Sequence, residues 1–102
     1  MAKRIVEWTE TAIRQRRSIL KYWTIRNGSS KYAEKIISIS EKHTKSISEN
    51  PLAFRVADFP DTHVAAMGHF CIYYKITEST IYVTAFWDNR QDPKKLIRIL
   101  KK

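Results

Sequence analysis

The sequence predicts an α+β fold: an antiparallel sheet packed on a two-helix hairpin, in the order β-α-α-β-β-β-α, with a short helix at the C-terminus. Three observations carry that prediction. Apolar residues recur at helical spacing through residues 10–49, they alternate at strand spacing after Pro51, and compact turn signals separate the segments. At 102 residues with 43% hydrophobic content, the chain is sized for one domain, 1–102, around one core.

The first element is Arg4-Ile5-Val6-Glu7-Trp8, an alternating run of strand formers with Val6 and Trp8 on one face. Thr9 then caps a helix in which Ala12, Ile13, Ile19, Leu20 and Trp23 share one arc, and Asn27-Gly28 stops it. Arg16 falls inside that apolar arc, where it must snorkel or find a partner. Ser29-Ser30 caps a second helix whose Tyr32, Ala33, Ile36, Ile37, Ile39, His43 and Ile47 form a broad face until Asn50-Pro51 ends it. His43 reads as a core or boundary histidine. A short glycine turn between two helices makes an antiparallel hairpin.

Beyond a turn-rich stretch at 52–61, residues 62–66, 68–76 and 80–87 read as consecutive strands of an antiparallel meander. Asp92 at the N-cap and Pro93 at the first helical position open the last helix. Its Leu96, Ile99 and Leu100 are apolar, with Lys94, Lys95, Arg98, Lys101 and Lys102 outside.

Nineteen Lys/Arg against ten Asp/Glu, net +9, point to an anionic partner: nucleic acid, an acidic protein or a membrane surface. The first helix carries the densest field, with Arg14, Arg16, Arg17, Lys21 and Arg26 and no acid between Thr11 and Asn27. The single cysteine, Cys71, excludes an internal disulfide framework, and no Cys/His cluster has metal-ligand spacing. Neither metal nor cofactor is expected. The start MAKRIVEW has no apolar signal core and no run approaches the length of a membrane span, so a cytoplasmic protein without a membrane partner is expected. Self-association is left open.

Alternation puts Phe70, Ile72, Tyr74 and Ile76 on the core face, with Ile81, Val83, Ala85 and Trp87 beside them and Val64 and Ala66 on the preceding strand. The other face then collects His63, His69, Cys71, Tyr73, Lys75, Tyr82, Thr84 and Phe86, with Arg90 just past its rim. Three uses fit such a surface. An RNA platform would stack bases on Tyr73, Tyr82 and Phe86. A nuclease would use His63 or His69 as acid or base beside Arg90, because RNA cleavage needs proton transfer and a cation on the phosphate. A protein-binding surface would use the aromatics as anchors. Ordinary half-exposed strand residues would look the same.

VEWTETA at the first strand-to-helix step, ISENP closing the second helix, MGHFCIYYKI on the third strand and the ending FWDNRQDPKKL together resemble the RelE/ParE toxins of bacterial type II toxin-antitoxin systems. The resemblance spans nearly the whole chain. It implies a small basic toxin, active in plasmid stabilisation or growth arrest and neutralised by a cognate antitoxin. Such toxins act either on the ribosome with its mRNA, as metal-independent endoribonucleases, or on DNA gyrase. Cys71 stands where RelE-like members carry a phosphate-binding arginine, His63-Val64-Ala65-Ala66 lacks their basic pair, and the C-terminal helix lacks their tyrosine. The resemblance therefore favours the ParE-like action on gyrase. The alternatives are an mRNA interferase using His63, His69 and Arg90, and a non-toxic binding module. Contacts to antitoxin or target are expected from Arg14, Arg17 and Lys21 and from Tyr73, Lys75, Tyr82 and Phe86.

Overall fold

The computed structural model describes residues 4–100. In chain order it contains β1 (Ile5–Trp8), α1 (Glu10–Asn27), α2 (Lys31–Glu49), a 3-10 turn (Pro51–Ala53), β2 (Arg55–Val56), β3 (His63–Met67), β4 (Phe70–Ile76), β5 (Thr80–Asp88) and α3 (Pro93–Leu100). The side chain of Ile99, with Lys101 and Lys102, lies outside the described residues. The sheet order is β1-β5-β4-β3-β2. The expected meander forms β3 to β5, antiparallel throughout. Two features extend the expected order. A two-residue strand, β2, joins the edge beside β3, and β1 lies parallel to β5, so the sheet is mixed and five-stranded. The parallel pairing follows from the hairpin, which carries the chain across the sheet: α1 packs on β5 and α2 on β3.

Local chemistry sets the helix limits. Thr9 Oγ1 accepts the Ala12 N–H at 3.2 Å and donates to the Val83 carbonyl at 3.0 Å, so one hydroxyl caps α1 and ties it to the sheet. Gly28 ends α1 at φ 63°, a left-handed conformation that suits glycine. Ser30 occupies the N-cap of α2 but its hydroxyl donates to Glu34 Oε2 at 3.4 Å and does not cap the backbone; Ser29 Oγ instead accepts the Lys31 N–H at 3.2 Å. His43 is half-buried, its Nδ1 3.0 Å from the Ile39 carbonyl, as expected for a boundary residue. Arg16 resolves its placement by lying over the Trp8 ring, 4.9 Å from the centroid.

The two faces of the sheet differ from the alternation in two places. In the β4–β5 register, Tyr73 pairs with Ala85 but Tyr74 pairs with Val83, so Thr84 is an extra residue on β5. Ile81 and Val83 face the helices as expected, and beyond the bulge it is Phe86 that does so; Ala85 and Trp87 turn to the rear. On β3 the phase is also reversed: Ala65 and Met67 join the helix-side core, and Val64 the rear cluster. A run such as His-Val-Ala-Ala-Met has too little polar contrast to set its own phase.

The rear face is not open along its length. α3 lays Leu96 and Leu100 over Cys71, Tyr73, Ala85 and Trp87, building a second core cluster there. Of the residues expected on an uncovered face, Tyr73 and Cys71 are therefore buried under α3, and Phe86 is fully buried beside Trp8 and Phe70, with ring centroids 5.9 and 5.8 Å away. Lys75 and Tyr82 remain exposed, paired across β4 and β5. Among the described residues no helix is long and apolar enough to cross a membrane.

These placements predict opposite costs for two aromatics that simple alternation puts on one face. Phe86→Ala should destabilise the fold by about 3–5 kcal/mol, whereas Tyr82→Ala should cost less than about 1 kcal/mol. Urea denaturation of the two variants checks this.

A cationic cleft at the free edge of β5

The pairing of β1 with β5 stops at Trp8 and Val83, because Thr9 turns the chain into α1. β5 runs on to Asp88, so its last residues have no strand beside them on that side among the described residues. A cleft of about 760 Å³ lies along this edge. One wall is α1, where Arg14, Ser18, Tyr22 and Arg26 form a row at i+4 spacing above Gln15, Ile19 and Trp23. The other comprises Phe86, Trp87 and Asp88, followed by Arg90, Gln91 and Lys95. Phe86 belongs to the helix-side core and Trp87 to the rear cluster, so the cleft sits where both faces of the sheet end.

Its floor is aromatic and aliphatic and its charge is one-sided. Arg14, Arg26, Arg90 and Lys95 line it, and among the described residues the sole lining acid is Asp88. Arg14 also pairs with Glu10 one turn earlier, but both side chains are more than two-thirds exposed, and such a pair is worth under about 1 kcal/mol and exchanges easily. Gln15 bridges the walls: its Oε1 accepts the Phe86 N–H at 2.8 Å, while its Nε2 is buried without a partner among the described residues.

Arg90 is held by four elements. Its Nε and Nη2 donate to the two Asp88 oxygens at 2.8 and 2.9 Å, and Nη2 also donates to the Tyr32 hydroxyl at 3.2 Å. The guanidinium lies 4.2 Å from the Trp23 ring centroid and 5.3 Å from that of Phe70. Trp23 Nε1 in turn donates to Asp88 Oδ2 at 3.2 Å, and the Arg90 N–H donates to Asp88 Oδ1 at 3.0 Å. Burial alone would raise the Asp88 carboxyl; the hydrogen bonds from Arg90 and Trp23, with the charge of Arg90, more than offset it and hold its pKa below the ordinary value. The hydrogen bond to Asp88 raises Arg90 in the same exchange. Asp92 is not part of this clamp. Its Oδ1 accepts the Lys94 N–H at 3.0 Å and starts α3.

The three residues expected to act in catalysis are dispersed. His63 opens β3 on the helix side, half-buried and stacked on Tyr74 at 5.5 Å, with a buried Nδ1 that has no partner among the described residues. His69 is exposed in the β3–β4 turn, where its carbonyl accepts the Asn89 N–H at 2.7 Å. The length of β3, roughly 13 Å over the four steps from His63 to Met67, separates the first histidine from the turn that carries the second. Arg90 lies at the His69 end. Cys71 is buried, with Asn89 Nδ2 3.2 Å from its sulfur. Burial raises the Tyr73 phenol, and Cys71 adds to the shift. Burial likewise pushes Tyr74 up to about 12, and its hydroxyl donates to the Pro51 carbonyl at 2.6 Å.

Of the expected partner contacts, Arg14 lines the cleft; Arg17 and Lys21 are exposed outside it. Sequence reasoning missed Gln15, Tyr22, Trp23 and Arg26 as one wall. The i+4 row from Arg14 through Tyr22 to Arg26 was the available signal. Among the described residues no group of three His, Cys, Asp or Glu side chains could hold a metal ion.

The chain thus folds as a mixed sheet beneath an antiparallel helix hairpin, closed at the rear by a C-terminal helix. A solved structure titled "Chromosomal ParDE TA system from P. aeruginosa" shares it, with a TM-score of 0.73 at 12% identity, covering 84% of this chain and 96% of that one. The family model for the ParE toxin of type II toxin-antitoxin systems, parDE, matches residues 6–93. The chain belongs to this ParE toxin family. No curated protein matches it.

The clamp predicts a stability cost at Arg90. Asp88 is 5% exposed at its side chain and Arg90 36%, so Arg90→Ala strands a buried carboxylate and should cost roughly 2 kcal/mol. Arg90→Lys should recover only part of that, because an ammonium cannot fork onto both oxygens. With its folded pKa depressed, Asp88 contributes stability that is present above the unfolded value near pH 4 and is lost as pH falls through the folded one. The stability of Arg90→Ala should therefore fall less steeply below about pH 4 than wild type, as measured by urea denaturation across pH.

Proposed function

We propose that this toxin acts in the cytoplasm on DNA gyrase rather than on ribosome-bound mRNA, and that its cognate antitoxin is held through an acidic segment in the cleft beside β5. The observation that carries the first half is the dispersal of the groups a nuclease would need. Metal-free RNA cleavage requires an acid, a base and a cation around one phosphate, each within hydrogen-bond reach. Here His63 is stacked in a half-buried position on the helix side, His69 stands at the opposite end of β3, and the Arg90 guanidinium is already engaged by Asp88. Cys71, at the position of the RelE-like phosphate ligand, is buried under α3 and carries no positive charge. Membership of the ParE family supports the gyrase target on the same side of the choice.

The second half rests on complementarity. Four cations line a cleft whose only acid among the described residues is already paired, and it offers Ile19 and Trp23, with Tyr22 above them, to apolar anchors. A partner segment carrying carboxylates beside apolar side chains fits that pattern, with the charges guiding encounter and the anchors holding the complex.

Two measurements test these halves separately. Purified toxin should trap gyrase–DNA cleavage complexes in a plasmid assay and leave ribosome-bound mRNA intact; mRNA cleavage lost on His63→Ala or His69→Ala would overturn the gyrase reading. Arg14→Glu with Arg26→Glu should weaken antitoxin binding more than about tenfold, whereas Arg17→Glu with Lys21→Glu should change it less than about threefold, measured by titration calorimetry. Equal effects of the two pairs would remove the cleft from the interface.

A further inference from the structure

The helix hairpin turns a second surface away from the sheet, separate from the cleft. α1 packs on β5 and α2 on β3, so both helices lie on one face and their outer sides point the same way. At about 100° per residue, Arg17 and Lys21 stand opposite the buried Ala12 and Ile19 of α1. On α2, Lys31, Lys35 and Lys42 stand opposite the buried Ala33, Ile36, Ser40 and Ile47. All five cations are exposed, and none makes an ion pair among the described residues. The acids of the hairpin lie elsewhere. Tyr32 meets Trp23 edge to face at 5.2 Å and so marks the side of α2 turned to α1; Glu34 and Glu41 lie about half a turn round from it, on the far flank. Glu10 and Glu49 stand at the end of the hairpin away from Gly28, with Glu10 paired to Arg14. Along the outward valley from Arg17 and Lys42 to the turn, the charged side chains are all positive.

Such a surface selects its partner by what it lacks. Protein interfaces and membrane-bound helices depend on apolar anchors. Among the described residues α2 exposes no large apolar side chain, and α1 exposes none between Arg14 and Lys21. Phosphates need no such anchor. Arg17 and Lys21 are about 6 Å apart along α1, and Lys35 and Lys42 about 10 Å apart along α2. These steps match two to three successive phosphates, which advance about 3.4 Å each along a duplex. Two helices side by side, each about 10–12 Å across, are too wide for a major groove of about 12 Å. The face therefore rests on the backbone and meets charge without reading bases. We propose that the outward face of the hairpin binds duplex DNA through its phosphates, with Arg17, Lys21, Lys31, Lys35 and Lys42 as the contacts, so that the toxin grips gyrase and its DNA together. The joint grip rests on gyrase being the target; the contact with DNA stands without it.

The full toxin is titrated into a fluorescein-labelled duplex of about 20 base pairs and mixed sequence, read by anisotropy between about 50 and 200 mM NaCl. Five phosphate contacts predict a slope of about −4 to −5 in log K against log salt, unchanged when the sequence is scrambled. Arg17→Gln with Lys21→Gln, and separately Lys35→Gln with Lys42→Gln, should each flatten that slope by about 2. Lys94→Gln with Arg98→Gln removes the same charge from α3, behind the sheet, and should flatten it by less than about 0.5. All six side chains are exposed, so the variants should keep the urea midpoint of wild type. Absence of saturable binding at about 50 mM NaCl, or an equal effect of the α3 pair, would overturn the proposal. Tighter binding to polyglutamate of equal charge than to the duplex would also overturn it and assign the face to an acidic protein. Gyrase assays separate the contact from its setting: Arg17→Gln with Lys21→Gln should need about tenfold more toxin to trap cleavage complexes. Trapping by wild type and variant alike, without duplex binding, removes the DNA contact and leaves gyrase as the target. Duplex binding through these residues with no trapped gyrase leaves the DNA contact standing and removes gyrase.

Discussion

One extra residue in β5 governs where the later side chains of this molecule lie. Thr84 sits between two registers, Ala85 against Tyr73 and Val83 against Tyr74, and its hydroxyl lies 3.3 Å from the Tyr73 carbonyl in the disturbed ladder. From that point the strand presents its other parity to the helices. Phe86 enters the core between Trp8 and Phe70, Trp87 turns to the rear beneath α3, and the Phe86 N–H points to Gln15 instead of to a strand. Bulges bend and twist the strand that carries them. Here the bulge falls where β1 ends, so the change of parity and the free edge coincide.

The clamp around Asp88 follows from this placement. A buried carboxylate is tolerated only when it is paired and hydrogen-bonded, and Asp88 is surrounded by donors from Trp23 in α1 and Arg90 in the turn. Arg90 then reaches Tyr32 in α2 and stacks near Phe70 in β4. A single ion pair thus joins the helix hairpin to the end of β5 and sets the position of the cleft wall. Arg90 has a structural role by its contacts, and that role leaves it at the rim of the cleft where its partly exposed guanidinium adds to the positive field.

The two cores and the cations of the cleft draw on different parts of the chain. The helix-side core and the rear cluster use Ile, Val, Phe, Tyr and Trp from the sheet, while α1 keeps on its outer row the cations and Tyr22 that the cores do not need. The net charge of +9 is therefore not spread evenly over function: Arg16 is occupied on Trp8, Arg90 is engaged by Asp88, and Arg14, Arg26 and Lys95 surround the cleft.

Local chemistry was enough to read the helices and the meander from the sequence. Thr9, Gly28, Asn50-Pro51 and Asp92-Pro93 act within a few residues of themselves, and periodicity distinguishes helix from strand over the same range. The ParE-type ending and the basic first helix were visible on the same terms. The bulge at Thr84, the reversed phase of β3, the parallel seat of β1 and the closing of the rear face by α3 were not, because each depends on which residue lies opposite across a strand pair or beneath a helix. That information is held by contacts between distant segments: Gln15 with Phe86, Arg90 with Tyr32, Leu96 with the cluster around Trp87. The elements were determined by sequence-local preferences, and the site by the tertiary packing that brought their ends together.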